Sequence, residues 1–331
     1  MKKPILVIGG AGYVGCVLAQ KLLANSYAVR VLDLFMYGRD VLAPWRGKNL
    51  EEIVGDLRDR SALKKALDGV DAVINLACVS NDPSFELNPE LSKSINYDGL
   101  GIIADEVKKA GIGRFIHAST SSVYGVREEA EVTEDIPFEE FVPVSDYNKY
   151  KALGEELLKK ELVPHVPTIM IRPATVCGYS PRLRLDLSVN ILTHLAYIKR
   201  RITVFGGSQQ RPNIHIDDIT DLYVQLLEEP QDRIAGKIYN AGWENLTIRE
   251  IAERVRNIVG QDVVIEVQPS NDPRSYRISS EKIKRELGFA PKKTIDDAVR
   301  ELVQAFKDGK IPDPDNMKYY NVKVMKSLNL A

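Results

Sequence analysis

The chain has 331 residues, 44% of them hydrophobic and 27% charged, with a formal net charge of −1. That length allows a full hydrophobic core or two ordinary domains, and the near-neutral balance excludes a general electrostatic pull toward nucleic acid or anionic membrane. Cys16, Cys78 and Cys177 are odd in number and far apart, which argues against a disulfide framework or a zinc site; no metal is expected. No stretch approaches membrane-spanning length, so a cytoplasmic soluble protein is expected.

The first half alternates short apolar runs with amphipathic segments. Residues 5–8, 29–32, 53–54, 72–75 and 114–118 predict strands, and 16–24, 61–67, 89–110 and 147–162 predict the helices between them. Near-continuous apolar strands alternating with helices are the pattern of a parallel sheet covered on both faces. Residues 166–171 add a further strand. Beyond Arg172 the rhythm changes: Pro173, Gly178, Pro181, Gly206 and Gly207 punctuate a stretch holding one helix at 189–199 and one strand at 203–205. A helix at 213–228 and a strand at 237–240 are expected to return to the first sheet. Residues 247–259, 263–267, 279–287 and 294–307 predict a smaller α/β region. The polar tail 312–331, with Lys318, Tyr319 and Tyr320, reads as surface packing.

Between the first strand and the first helix lies Gly9-Gly10-Ala11-Gly12-Tyr13-Val14-Gly15. A dinucleotide pyrophosphate must approach a helix N-terminus closely, where free backbone N–H groups and the helix dipole favour negative charge, and any side chain beyond hydrogen would hold it off. Asp33 closes the second strand 18 residues after Gly15. Such an acid accepts from ribose hydroxyls and repels a phosphate, which favours NAD over NADP, although Arg39 nearby keeps NADP open. Asp56 and Leu57, after the third strand, are candidate adenine contacts, while Gly55-Asp56 is equally ordinary turn composition. The fold class is therefore α/β, a Rossmann doubly wound parallel sheet with a smaller interleaved C-terminal α/β domain. The expected division is a cofactor domain at 1–172 with a return segment at about 213–242, and a substrate domain at 173–212 and 243–331.

Tyr147 and Lys151 lie four residues apart, on one helix face. A phenol with a pKa near 10 needs a shift worth about 4 kcal/mol to act as a base near pH 7. An ammonium about 5 Å away, at an effective dielectric near 20, supplies about 3 kcal/mol of that. The positive nicotinamide ring would add the remainder. By itself the spacing recurs by chance, and Lys149 and Tyr150 crowd the segment. The hydroxyl cluster Ser119-Thr120-Ser121-Ser122 just after the fifth strand strengthens it, because ligands of an open parallel sheet bind beyond strand carboxyl ends. The same cluster is also common turn chemistry.

With these residues in view, the chain from about 5 to 306 resembles the extended short-chain dehydrogenase/reductase family, in particular its nucleotide-sugar epimerases and dehydratases. The most specific matches are the glycine turn, Thr120-x-x-Val123-Tyr124-Gly125, Tyr147-x-x-x-Lys151, Arg172-Pro173 and Arg211-Pro-Asn-Ile-His215-Ile-Asp217-Asp218. The resemblance implies tightly held NAD that takes a hydride from C4 of a hexose attached to a nucleoside diphosphate. It makes Thr120, Tyr147 and Lys151 the catalytic group. It places Gly9, Gly12, Tyr13, Val14, Gly15, Asp33, Asp56, Leu57, Ala77, Asn96 and Pro173 on the cofactor, together with Tyr147 and Lys151. The nucleotide sugar would meet Ser80, Ser121, Ser122, Thr175, Asn190, Arg211 and Arg274, the last within Asp272-Pro-Arg-Ser-Tyr276, and Phe205 would either pack on the nucleobase or be an ordinary buried strand residue. A homodimer paired through the helices at 89–110 and 147–162 is also implied.

Two departures bear on the activity. The 4,6-dehydratases carry an Asp-Glu pair where this chain has Ser121 and Ser122, and decarboxylating relatives carry a glutamate at the second position; serines cannot do that acid–base work unaided. The usual His-x-Ala-Ala is Asn75-Leu76-Ala77-Cys78. The segment 178–187 is similar to a subgroup that includes heptose-nucleotide 4-dehydrogenases, and its Arg182 and Arg184 read as solvated loop arginines or as readers of an acidic sugar. The expected activity is epimerisation at C4 through a transient 4-keto sugar. A net 4-dehydrogenase or ketoreductase is the alternative; a 4,6-dehydratase or a non-catalytic NAD-binding protein is less favoured.

Overall fold

Ile5–Ile8 is buried at all four positions, because strands flank it on both sides and helices cover both faces. It is β1 of a seven-stranded parallel sheet that also contains β2 (Val29–Asp33), β3 (Leu50–Val54), β4 (Ala72–Asn75), β5 (Arg114–Ala118) and β6 (Thr168–Pro173). Beyond β7 (Thr175–Cys177), β8 (Arg201–Phe205) and β9 (Gln210–His215), the chain returns with β10 (Ile238–Ala241) to complete that sheet at its edge. The strand order is β3-β2-β1-β4-β5-β6-β10, so the sequence direction reverses between β1 and β4. The structure, a computed structural model, describes residues 3–127, 131–270 and 274–330.

One apolar layer, built on the helices Tyr13–Ala24 and Ile216–Glu228, covers one face of the sheet. The helices Arg60–Leu67, Gly99–Ala110 and Asp146–Glu161 bury Leu63, Ile103 and Leu158 against the other. A third core forms where the helices Ser188–His194, Ile248–Val259 and Ile295–Lys307 pack on β8. The last two begin with reciprocal capping boxes at Thr247 and Thr294, which fix their N-termini. β8 pairs in parallel with β12 (Val264–Gln268), and β9 lies between β7 and β11 (Glu244–Thr247) in a three-stranded sheet.

Several elements differ from the sequence reading. The expected helix at 213–228 starts only at Ile216; residues 210–215 are β9, which is buried almost continuously and so shows no alternation to betray a strand. β7 and β11 are three and four residues long, too short to leave a period. The expected helix at 89–110 is interrupted by a wide π turn at Ser94–Asp98, where Asn96 leaves the helical register to clamp the backbone of Val79. Much of the Arg211–Asp218 motif is structural. The His215 ring accepts from the Asp217 N–H at 3.0 Å, and the Asp218 carboxylate accepts the backbone N–H groups of Lys292 and Lys293.

Candidate active site

The reversal between β1 and β4 opens a crevice at their carboxyl ends, the place where open α/β sheets bind ligands. Gly9 turns out of β1 with a φ of +82°, and a Cβ there would meet the Ala77 backbone, just past β4, at 2.8 Å. At Gly15 the corresponding atom would lie 2.2 Å from the Gly9 carbonyl oxygen. The helix Tyr13–Ala24 therefore starts tight against the strand, with Gly12 as its N-cap, no side-chain cap and no acid in its first turn. Its first N–H groups face the crevice beside a cradle kept open by missing side chains. This is the chemistry that receives a dinucleotide pyrophosphate, so the residues present fit the cofactor.

Two adjoining cavities, of about 320 and 190 Å³, share Gly9, Gly12, Tyr37, Leu76, Cys78, Ser80 and Asn321. Asp33, Asp56, Leu57 and Ala77 line the smaller one. Asp33 Oδ2 accepts from the Ala11 N–H at 2.9 Å and Oδ1 from the Phe35 N–H at 2.8 Å, so this acid also holds the glycine turn in place. Burial pushes its carboxyl up, opposed by those backbone N–H groups. Asp56 is held below the usual carboxylate range by Arg58, 2.6 Å away.

The larger cavity gathers Tyr13, Val14, Gly15, Thr120, Ser121, Ser122, Tyr147, Pro173, Thr175, Arg211 and Arg274. Thr120 caps the short turn Ser121–Tyr124 and sits 2.9 Å from the Ser122 hydroxyl. Ser122 donates to Asn148 at 2.7 Å, and the Ser121 hydroxyl lies 3.2 Å from that of Tyr276. Arg211 donates to the carbonyls of Gln210 and Arg274, and the Arg274 guanidinium crosses the cavity to pair with Asp82. Asp272 and Pro273 lie outside the described residues.

Tyr147 has its phenol raised well above 10, first by burial, then by Cys78 and Asp82, with Arg184 and Thr120 acting in the opposite sense. Lys151 is 4% exposed and donates to the Ala118 carbonyl at 2.8 Å. Lys151 is not among the groups that govern the phenol. Its charge bears instead on His117, which burial first and Lys151 second keep neutral. Asn75, where the resemblance expects histidine, contacts that ring at 3.2 Å and accepts from the Ala77 N–H at 3.3 Å, so the substitution shapes the wall beside the cofactor turn.

Several expected site residues do not reach the cavities. Asn190 is fully buried, its amide taken up by Gly178, Tyr13 and Arg184. Asn96 spends both amide atoms on Val79, which itself lines the smaller cavity. Phe205 projects from the edge of β8 with 61% of its surface exposed, neither a buried strand residue nor part of the cavity wall. Conversely, Tyr37, Asp82, Asn148 and Tyr276 line the larger cavity without having been singled out. Asp82 opens the short helix Asp82–Phe85 and Tyr276 lies outside any helix or strand, and neither carries a local signature of a site. Arg182 and Arg184, read as solvated or as readers of an acidic sugar, are 4% and 7% exposed and line the same cavity.

The model of the NAD dependent epimerase/dehydratase family matches residues 5–242. The chain belongs to that family. It is a family of enzymes of the extended short-chain dehydrogenase/reductase type, and solved members superpose on nearly the whole chain. A dTDP-glucose 4,6-dehydratase, DesIV, from Streptomyces venezuelae with NAD and TYD bound is 25% identical, with a TM-score of 0.83 over 94% of this chain and 99% of that one. A UDP-glucuronic acid 4-epimerase from Bacillus cereus in complex with UDP-glucuronic acid and NAD is 27% identical, with a TM-score of 0.80 over 92% and 99%. The protein y4nG of Sinorhizobium fredii is 34% identical over 222 residues, 66% of this chain and 51% of that one, so the match spans about half of that relative's length. Epimerases and dehydratases of the family thus resemble this member to similar degrees. No helix among the described residues is long and apolar enough to cross a membrane.

Proposed function

We propose that this enzyme inverts C4 of a nucleoside-diphosphate sugar, using tightly held NAD. The observation that carries the reading is the state of Ser121 and Ser122. Each is a hydroxyl engaged by a neighbour, Tyr276 or Asn148, at the positions where the family's dehydratases carry their acid pair. The carboxylate near Tyr147, Asp82, is committed to Arg274 and Ser145.

The bound cofactor supplies hydride acceptance and return at the sugar carbon. Everything else falls to the chain. Tyr147 takes the proton from O4 and later gives it back, Thr120 orients that oxygen, and Lys151 fixes the floor of the site through Ala118. Arg211 and Arg274, which line the same cavity as the glycine turn, hold the sugar's diphosphate; a protein of net charge −1 needs such placed cations. In this reading the cofactor part comprises 1–172 with the return segment 213–242, the substrate part is the remainder, and Gly99–Ala110 with Asp146–Glu161 form the face of a homodimer.

The experiment is to incubate the protein with UDP-glucose, UDP-glucuronic acid and dTDP-glucose in deuterated water and to identify products by mass spectrometry and NMR. A C4 epimer without accumulating NADH or solvent deuterium supports the reading. Stoichiometric NADH would indicate net dehydrogenation, and a dehydrated product labelled at C5 would overturn the proposal in favour of a dehydratase.

A further inference from the structure

The polar tail that read as surface packing is built into the cofactor cleft. Tyr319 and Asn321 are each 4% exposed. The Leu185 N–H donates to the Tyr319 carbonyl at 2.9 Å, and Tyr319 packs in one cluster with Tyr13, the first residue of the glycine-turn helix. Asn321 is tied on three sides: its N–H donates to Asp186 at 3.0 Å, its amide donates to Ser80 at 3.0 Å, and its amide oxygen accepts from Arg182. Asn321, Met325 and Leu330 line the smaller cavity together with Asp33 and Asp56.

The two arginines tied to this clasp are not satisfied. Arg182 Nε and Nη1 and Arg184 Nη2 are buried without a hydrogen-bond partner among the described residues. Both side chains line the larger cavity with Gly9 and Gly12. The Arg182 guanidinium lies over the Tyr37 ring at 3.7 Å, and burial pushes its pKa down to about 10. Buried charged donors left unpaired are costly, and an anion placed against them removes that cost.

We propose that residues 319–330, together with Arg182 and Arg184, are part of the dinucleotide site: the tail closes the adenosine half, and Asn321 holds Arg182 so that its unpartnered N–H groups meet the cofactor's pyrophosphate. This rests on the NAD reading of the crevice. The shared chemistry is a nucleoside diphosphate, which the sugar nucleotide also carries, so the test separates the two sources.

Nucleotide-stripped full-length protein, a chain ending at Tyr320, and the variants Asn321→Ala and Arg182→Gln are titrated calorimetrically with NAD, ADP, adenosine and UDP. Circular dichroism and thermal melting verify the fold of each. Truncation and Asn321→Ala are expected to weaken NAD at least tenfold and to leave UDP unchanged. Arg182→Gln is expected to weaken NAD and ADP at least tenfold and to leave adenosine unchanged. Unaltered NAD affinity in a folded Asn321→Ala protein overturns the proposal, even if the truncated chain does not fold. Loss of UDP rather than ADP affinity in Arg182→Gln also overturns it, by assigning the arginine to the sugar nucleotide. If the full-length protein itself binds no NAD, the cofactor reading falls and takes this proposal with it.

Discussion

Tyr147 illustrates how environment decides what a side chain can do. Burial, Cys78 and Asp82 all favour its neutral phenol, so the residue needs positive charge in the site before it can act as a base. Tyr147→Phe should therefore lower turnover by at least about a hundredfold, the scale of a lost general base, while NAD binding measured by titration stays within about twofold. Near-normal turnover would remove Tyr147 from the mechanism. The sign of the pH dependence follows from the same neighbours. In the proposed reaction the reactive form is the phenolate, so the rate should rise as pH rises through the Tyr147 titration in the loaded enzyme. Asp82 holds that titration high, and Asp82→Asn should move the rising limb of the pH–rate profile to lower pH. An unmoved limb would show that Asp82 is electrostatically silent and serves only to hold Arg274.

The elements were read well wherever a long period or a chemical punctuation mark announced them. β1, β4 and β5 fall where their apolar runs lie, and the glycine turn stands between β1 and its helix as expected. Residues 213–215 of β9 read as the start of a helix because their burial is continuous, and β7 and β11 leave no signal because they are short and held by pairing with β9. The π turn at Ser94–Asp98 was equally silent, since its cause, the contact of Asn96 with Val79, is 17 residues away in sequence. At this scale Gly15 gives the sharpest test. Its missing side chain lets the helix pack on the Gly9 carbonyl, and a methyl at 2.2 Å from that oxygen cannot be absorbed by a flexible neighbour. Gly15→Ala is expected to cost at least about 1–3 kcal/mol, the usual range for overpacking, and to weaken NAD at least tenfold. Denaturant melts and calorimetry check this; a stable variant with unchanged affinity would mean that the turn relaxes freely.

Across the whole molecule, the sheet and the C-terminal region are fastened by a charge cluster that lines neither cavity. Lys293 lies 2.5 Å from Asp217 and 2.6 Å from Glu301, with His215 on Glu301 at 3.0 Å and Lys21 reaching Asp217 and Asp221. Those carboxylates could frame a cation, but the lysine ammonium already stands between them. Burial alone would raise both carboxyls. For Asp217, Lys293 and Lys21 reverse that, and for Glu301, His215 and Lys293 do, so both titrate below the usual range. Groups depressed on folding stabilise the fold above their unfolded values near 4, and that stability is lost as pH falls through the lowered folded values. Lys293→Met should therefore lower Tm at pH 7 and make the fall of Tm between about pH 5 and pH 2 shallower. Superimposable Tm–pH curves for the two proteins would show that the cluster is too well solvated to matter; Lys293, Asp217 and Glu301 are each about one-third exposed.

The parallel sheet, the glycine turn, Asp33 and the Tyr147–Lys151 spacing are legible in the chain alone, because each is written in residues near one another. Tertiary contacts alone reveal that Asn190 is buried against Tyr13, that Asn96 bonds the Val79 backbone, that Phe205 faces solvent, and that Asp82, Tyr276 and Asn321 line the cavities. The physical reason is separation along the chain. The Ser80–Asn321 hydrogen bond spans 241 residues and the Asp82–Arg274 pair 192, and no local period or composition records a partner that folding brings from so far away.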